Sequence, residues 1–123
     1  MKTNTVNDLL LPMMGKPSIK RDTCAVCGRP ANNQHHIVRR GAGTAYDAMG
    51  RELKKPTVTL CGSGNTSGCH GLAHAQKLHF RWAEAVPKRG ECKIFGTGHW
   101  EYKRTKEPTK YQDALAMGGW RRL

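Results

Sequence analysis

Cys24-Ala25-Val26-Cys27, Gln34-His35-His36-Ile37-Val38-Arg39-Arg40, Leu60-Cys61 and Gly68-Cys69-His70-Gly71-Leu72-Ala73-His74 follow one another between Cys24 and His74. The four cysteines, arranged Cys24-x2-Cys27 and Cys61-x7-Cys69, are the ligand set of a closed tetrahedral structural zinc site. A CxxC pair alone also fits redox chemistry, but no βαβ pattern surrounds this one and a second cysteine pair follows it. Cys92 is left over and reads as a small half-buried residue.

The bulk composition agrees with a stapled fold. The chain has 123 residues, 37% hydrophobic, with a mean hydropathy of -0.66. One domain of that size with so little apolar material gains from a metal, because binding to a site that exists only in the folded state adds directly to folding free energy. Lys and Arg number 21 against 9 Asp and Glu, a formal net charge of +12 and a pI near 9.9. Nucleic acid is the partner that such a charge favours, since each neutralised phosphate releases condensed counterions. No apolar run approaches the ~18 residues of a spanning helix, so a membrane is not expected as a partner. Met1 to Lys20 lacks the basic, apolar and small-residue order of a secretory signal, which points to a reducing cytoplasm. Close cysteine pairs there hold metal more often than they form disulfides.

Working outward, residues 1–22 read as an N-terminal arm whose Leu9 to Met14 segment packs on the core, residues 23–86 as the main unit, and residues 87–123 as an extension of the same domain. Thr23 to Asn33 is a knuckle turn with Gly28 after the second cysteine, where positive φ is tolerated. Gln34 to Arg39 and Pro56 to Leu60 have strand composition, and Tyr46 to Lys55 is a short helical or irregular crossing. Cys61 to Cys69 is a loop of glycine and small polar residues without the Lys-Ser/Thr of a phosphate-binding loop. From His70, the apolar residues Leu72, Ala73, Leu78, Phe80, Trp82, Ala83 and Ala85 predict a helix ending before Pro87. Glu91 to Phe95 and His99 to Lys103 predict a hairpin, and Tyr111 to Met117 a short helix.

The histidines then fall on different elements. His70 and His74, four apart on a helix, face one side. His35 and His36 are neighbours on a strand and face opposite ways, so one of them can join the helix pair at a metal ion while the other reaches elsewhere. That division suits phosphodiester hydrolysis, in which an ion neutralises the phosphate and a neutral imidazole takes a proton from water. The bland reading is that these are knuckle-packing histidines or spare zinc ligands.

Taken together, Cys24-x2-Cys27, His35-His36-Ile37-Val38, Val58-Thr59-Leu60-Cys61 and Cys69-His70-x3-His74 resemble the HNH endonuclease family, and the Leu60-to-Gly71 loop is similar to small HNH proteins of bacteriophages and prophages. The resemblance covers about half of the chain. It implies an α+β fold with a small ββα-metal (His-Me finger) core, a four-cysteine structural zinc site, and here a C-terminal β-hairpin and short helix. It also implies a metal-dependent DNA endonuclease, nicking or cutting both strands, in phage DNA processing or packaging within a bacterial cytoplasm. By position, His36 matches the general base, while His35 and His70 match ligands of a catalytic divalent ion such as Mg2+, Mn2+, Ni2+ or Zn2+. His74 matches a third histidine that either ligates the ion or binds phosphate. Cys24, Cys27, Cys61 and Cys69 would hold the structural Zn2+. Where the family has its middle Asn, five residues before Cys61, this chain has Pro56; Asn65 is out of register.

Arg39, Arg40, Arg51, Lys54 and Lys55 are candidates for contacts to the DNA backbone, with a solvated face as the plain alternative. Trp100, Tyr102 and Trp120 sit among basic residues, where stacking on bases competes with ordinary packing. The partners implied are DNA and, through the phage resemblance, packaging proteins. Two other readings compete with the nuclease: a non-catalytic zinc-dependent nucleic-acid-binding module, and a zinc-stapled interaction protein of a phage machine. A zinc deaminase is disfavoured, because its signature wants Glu two residues after the zinc histidine and Val38 follows His36 at that spacing.

Overall fold

A computed structural model describes residues 4–62, 67–84 and 98–123. It is a small α+β arrangement of two antiparallel sheets and few helices. Strands β1 (Asn33–His36) and β2 (Thr57–Leu60) form the first sheet, with His35 opposite Val58 and His36 opposite Thr57. Helix α1 (Gly68–His74) follows β2. Strands β3 (Leu78–Glu84), β4 (Gly98–Arg104) and β5 (Arg121–Arg122) form the second sheet in that order, and helix α2 (Tyr111–Ala116) lies between β4 and β5 in sequence.

The β-branched and apolar run Thr57-Val58-Thr59-Leu60 becomes the spine of the first sheet. Val58 and Leu60 are fully buried, and the Thr59 hydroxyl bonds to the Gln34 side chain and to the Ile19 carbonyl. Buried Val38 continues the core beyond β1, where the Ile37 amide donates to the Pro56 carbonyl at 3.0 Å. The other edge of β2 is occupied by the N-terminal segment: Ile19 forms a parallel bridge to Val58, donates to the Thr57 carbonyl at 2.8 Å and accepts from the Thr59 amide at 3.0 Å. The expected arm is therefore a working part of the sheet as well as a source of packing. Val6, Met13 and Met14 are buried, and the Pro17 carbonyl accepts the Trp100 indole N–H at 2.8 Å, tying this segment to the second sheet.

Two expected elements differ: the strand expected over Gln34 to Arg39 stops at His36, and the helix expected after His70 is much shorter. The helix predicted from His70 to Pro87 stops at His74, and Leu78–Glu84 is strand β3. The stop is local: Gln76 adopts φ 60, the Gln76 amide returns to the Ala73 carbonyl and the Lys77 amide to the Leu72 carbonyl. This is a left-handed helix end with glutamine where glycine is usual. Beyond it Leu78, Phe80 and Trp82 recur with period two. That periodicity suits a pleated strand, and β4 supplies its hydrogen bonds along the full length, Leu78 opposite Arg104 and Trp82 opposite Trp100. The expected strand His99 to Lys103 lies within β4, which pairs with β3 on one side and β5 on the other; Glu91 to Phe95, Ala85 and Cys92 lie outside the described residues. The predicted helix at Tyr111 is present as α2, and Tyr46 to Lys55 is irregular with one bridge, Tyr46 to Glu52. β5 was not foreseen.

Cores of the two sheets merge into one cluster that includes Val6, Met13, Cys24, Val38, Leu60, Cys69, Phe80 and Trp100, so residues from the N-terminal segment, the cysteine-histidine stretch and the C-terminal strands share an interior. Trp100 belongs to that interior and meets Trp82 edge to face at 5.3 Å. Trp120 packs under the Arg81 guanidinium at 4.4 Å, with its indole N–H on the Ala114 carbonyl. For both tryptophans, packing is the observed role. Among the described residues, no helix is long and apolar enough to cross a membrane.

His79 is buried on β3, where its Nε2 meets the Gln76 carbonyl at 2.8 Å. Burial holds this imidazole below its ordinary value, outweighing the opposing bonds to the Gln76 and Thr109 backbone. A depressed folded pKa means that the unfolded chain takes up the proton first as pH falls, so the stabilisation is complete above the unfolded value near 6.5 and is lost below it. His79→Gln should cost about 1–3 kcal/mol at pH 8, mainly through the disturbed buried bond. In urea melts, the gap between wild type and variant should then narrow as pH drops from 7 towards 5.

Candidate metal and phosphate site

Two clusters of metal-capable side chains form from segments remote in sequence. In the first, the Sγ atoms of Cys24, Cys27, Cys61 and Cys69 all lie within 4.8 Å of one another. All four are free thiols. The knuckle is shaped by backbone: the Gly28 amide donates to the Cys24 carbonyl, the Cys24 amide to the Arg29 carbonyl, and Gly28 has φ 78. The Ala25 amide on the Thr59 carbonyl sets the knuckle beside β2, whose end carries Cys61. Cys69 comes back from α1, because the His70 amide donates to the Cys61 carbonyl at 2.9 Å and the Cys69 amide points at Cys61 Sγ at 3.4 Å.

The dimensions fit an ion. Four sulfurs at ~2.3 Å from a tetrahedral centre lie ~3.8 Å apart, and Cys27 Sγ to Cys61 Sγ is 3.4 Å. The electrostatics fit too. Burial pushes the Cys24 thiol up, but hydrogen bonds from the Cys27, Cys61 and Val26 backbone and the Cys27 side chain outweigh it and bring the group down to about 6. Burial pushes the Cys69 thiol well up, and its contacts with Cys24 and Cys61 add to the rise. Burial also raises Cys27, reinforced by Cys61 and Cys24. One thiolate, Cys24, forms easily while Cys27 and Cys69 resist, as expected of acids crowded without a counter-charge. A cation at the centre relieves that repulsion. Arg104, with Nη2 at 3.8 Å from Cys69 Sγ, adds further positive charge from β4.

The second cluster is His35, His70 and His74, whose ligand nitrogens also lie within 4.8 Å of one another. His70 and His74 project from the same side of α1 with their Nε2 atoms 3.1 Å apart. His35 reaches them from β1, its ring 5.1 Å from each. Burial lowers the His35 imidazole to about 4, with His70, His74 and His36 adding repulsion; His70 is lowered by burial and then by His74. Both are therefore neutral near pH 7, the form that ligates metal. His70 Nδ1 is buried with no hydrogen-bond partner among the described residues. Imidazoles this close, with His35 and His70 held neutral, are able to hold a metal ion.

His36, next to His35 on β1, is outside this trio and lies at its rim. A depression of about 210 Å3 is lined by Gln34, His35, His36, Arg39, Arg40, His70 and His74. The structure thus brings together all four candidate histidines and two of the five candidate DNA-binding cations. The other three are placed elsewhere: Arg51 pairs with Asp47 at 3.1 Å, Lys55 Nζ donates to the Arg40 carbonyl at 2.9 Å, and Lys54 is exposed away from the depression. Lys55 thereby steadies the segment that carries Arg40.

Two residues that matter to the site were not singled out from sequence. Asn33, at the start of β1, donates through its side-chain amide to the Gly62 carbonyl and so clamps the loop after Cys61. Arg104 reaches the thiol cluster from thirty-five positions away. An asparagine just before a histidine strand gave a faint signal; nothing local marked Arg104. Compared with family models, with curated proteins and with solved structures, the chain finds no match.

Because a structural thiolate site contributes of order 10 kcal/mol, comparable with the whole stability of a domain, loss of one ligand should be severe. Cys61→Ser should lose the tightly held ion, read as metal content after gel filtration, and should unfold at 25 °C by circular dichroism. A variant that stays folded without metal would remove the structural role assigned to the cluster.

Proposed function

We propose that this chain is a metal-dependent DNA endonuclease built on a small ββα-metal core, with a zinc ion in the four-cysteine cluster and a divalent ion in the histidine trio. The observation that carries this reading is the shared depression: a three-histidine ion site, a fourth histidine free of it and two arginines line one concavity. A structural knuckle has no need of His36 and two cations at the same opening.

In this reading, a divalent ion on His35, His70 and His74 supplies a Lewis acid that offsets charge on the scissile phosphate. Arg39 and Arg40 bind the non-bridging oxygens of the phosphate and align it. His36 takes the proton of the attacking water at a ring nitrogen. The Pro56 carbonyl fixes the backbone directly after His36 through the Ile37 amide. A place in phage genome processing, packaging proteins as partners, and a bacterial cytoplasm rest on the sequence resemblance alone.

A second reading, a non-catalytic zinc-dependent nucleic-acid-binding module, is favoured by one feature. Pro56 offers no side-chain donor where the HNH pattern has Asn, and among the described residues no hydrogen bond orients the His36 imidazole. The two readings separate on supercoiled plasmid incubated with Mg2+, Mn2+ or Ni2+. The nuclease should convert it to nicked or linear DNA, with His36→Ala at least ~100-fold slower while still folded and zinc-loaded. Equal DNA binding by wild type and variant, without cutting under any ion, would establish the binding module. Elemental analysis should find about one tightly held zinc per chain.

A further inference from the structure

Beside the histidines lies a larger cleft, of about 470 Å3, most of whose lining neither ion binding nor water activation uses. Met13, Leu78 and Phe80, each less than 5% exposed, form its floor. Half-buried Leu10, Ile37 and Tyr111 form its sides, with exposed Gln76 also lining it. Tyr111 is held in place by its hydroxyl on the Met13 sulfur at 3.6 Å and by the His79 ring 6.2 Å away. The cleft shares His35, His36, Arg39 and His74 with the phosphate depression, so the two are continuous at the histidines. Among the described residues, no carboxylate lines either one.

The volume falls within the ~300–1,000 Å3 of pockets that enclose small molecules. Its chemistry is divided: an apolar and aromatic interior, an amide near the edge, and a cationic mouth. A nucleobase has the same division, with an apolar face that stacks, polar edges that hydrogen-bond, and a phosphate one sugar away. Enzymes that admit a base do so by stacking it on aromatic or apolar side chains after it has left the helix. In an intact duplex the bases are stacked inside and cannot enter such a cleft while their phosphate is at its mouth.

We propose that the cleft receives an unpaired nucleobase next to the bound phosphate, so that the substrate of this site is DNA with an unstacked nucleotide, as at a bulge, gap or single-stranded branch. This rests on the nuclease reading for the position of the phosphate. It differs from that reading in what it requires, since base entry precedes cutting and does not depend on it.

The test uses zinc-loaded full-length His36→Ala in Mg2+, with a DNA duplex carrying one bulged 2-aminopurine and a fully paired duplex of the same sequence. The bulged DNA should bind about 10-fold more tightly, the order expected for one stacked base, and its fluorescence should change on binding. Ala73→Leu, which fills the cleft from a helical position, and Tyr111→Ala, each in the His36→Ala background, should both reduce the bulged affinity to that of the duplex. If Tyr111→Ala fails to fold, Ala73→Leu decides. Equal affinity for both DNAs, or a preference untouched by the folded variants, overturns the inference. Plasmid cutting by wild type is scored separately, so a protein that cuts paired DNA without this preference keeps the nuclease reading and loses only the base site.

Discussion

The convergence of four thiols from three separate segments is the constraint on which the rest of the structure depends. Cys24 and Cys27 precede β1, Cys61 directly follows β2, and Cys69 lies in the first turn of α1. To bring Cys69 back to Cys61, the chain must cross itself at very short range. A Cβ on Gly62 would lie 2.0 Å from the Ser67 carbonyl oxygen, and one on Gly68 would lie 2.6 Å from that of Cys61. Both glycines have positive φ as well, 97 and 61. Two requirements therefore coincide at each position, and no other residue type meets them.

This crossing does more than close a knuckle. Cys69 and His70 are neighbours on one helical turn, so fixing the thiol inward fixes the rotation of α1 and aims His70 and His74 towards β1. From the other side, the register His35 opposite Val58 decides which histidine of the adjacent pair meets them. A one-residue slip would exchange His35 for His36 and would also turn the apolar face of the strand pair outwards. The fully buried Val58 and Leu60 hold the register. Core packing and thiol geometry thus jointly position the imidazoles that could hold an ion.

Much of this arrangement was legible in the sequence. CxxC spacing, glycine placement and strand alternation are short-range signals, and they sufficed to group the cysteines, to separate His35 from His36, to place β2 and to place β1 as far as His36, where the expected Gln34 to Arg39 strand stops. The failure came after His74, where Leu72, Ala73, Leu78 and Phe80 satisfied a helical spacing as well as an alternating one. Two physical facts decided it, neither visible locally. Gln76 accepted a left-handed conformation that sequence assigns to glycine or asparagine, and β4 supplied the ladder that makes Leu78–Glu84 worth extending. Arg104 and Asn33 were missed for the same reason: their roles are tertiary contacts of side chains that look ordinary in sequence.

Pro56 shows how a departure from an expected pattern divides into two effects. A middle Asn would offer a side chain to tie the loop and a group to steady the imidazole. Pro56 is fully buried and supplies only its carbonyl, which accepts from the Ile37 amide and extends the strand pair by one step beyond His36. Backbone position is therefore secured without the asparagine, since a proline carbonyl serves the ladder as well as any other. Imidazole orientation is not secured by the same means. His36 is held where alternation puts it, at the junction of the depression and the larger cleft. Among the described residues none hydrogen-bonds the His36 ring. In the proposed nuclease reading, a phosphate flanked by Arg39 and a base seated against Tyr111 would confine that ring from both sides.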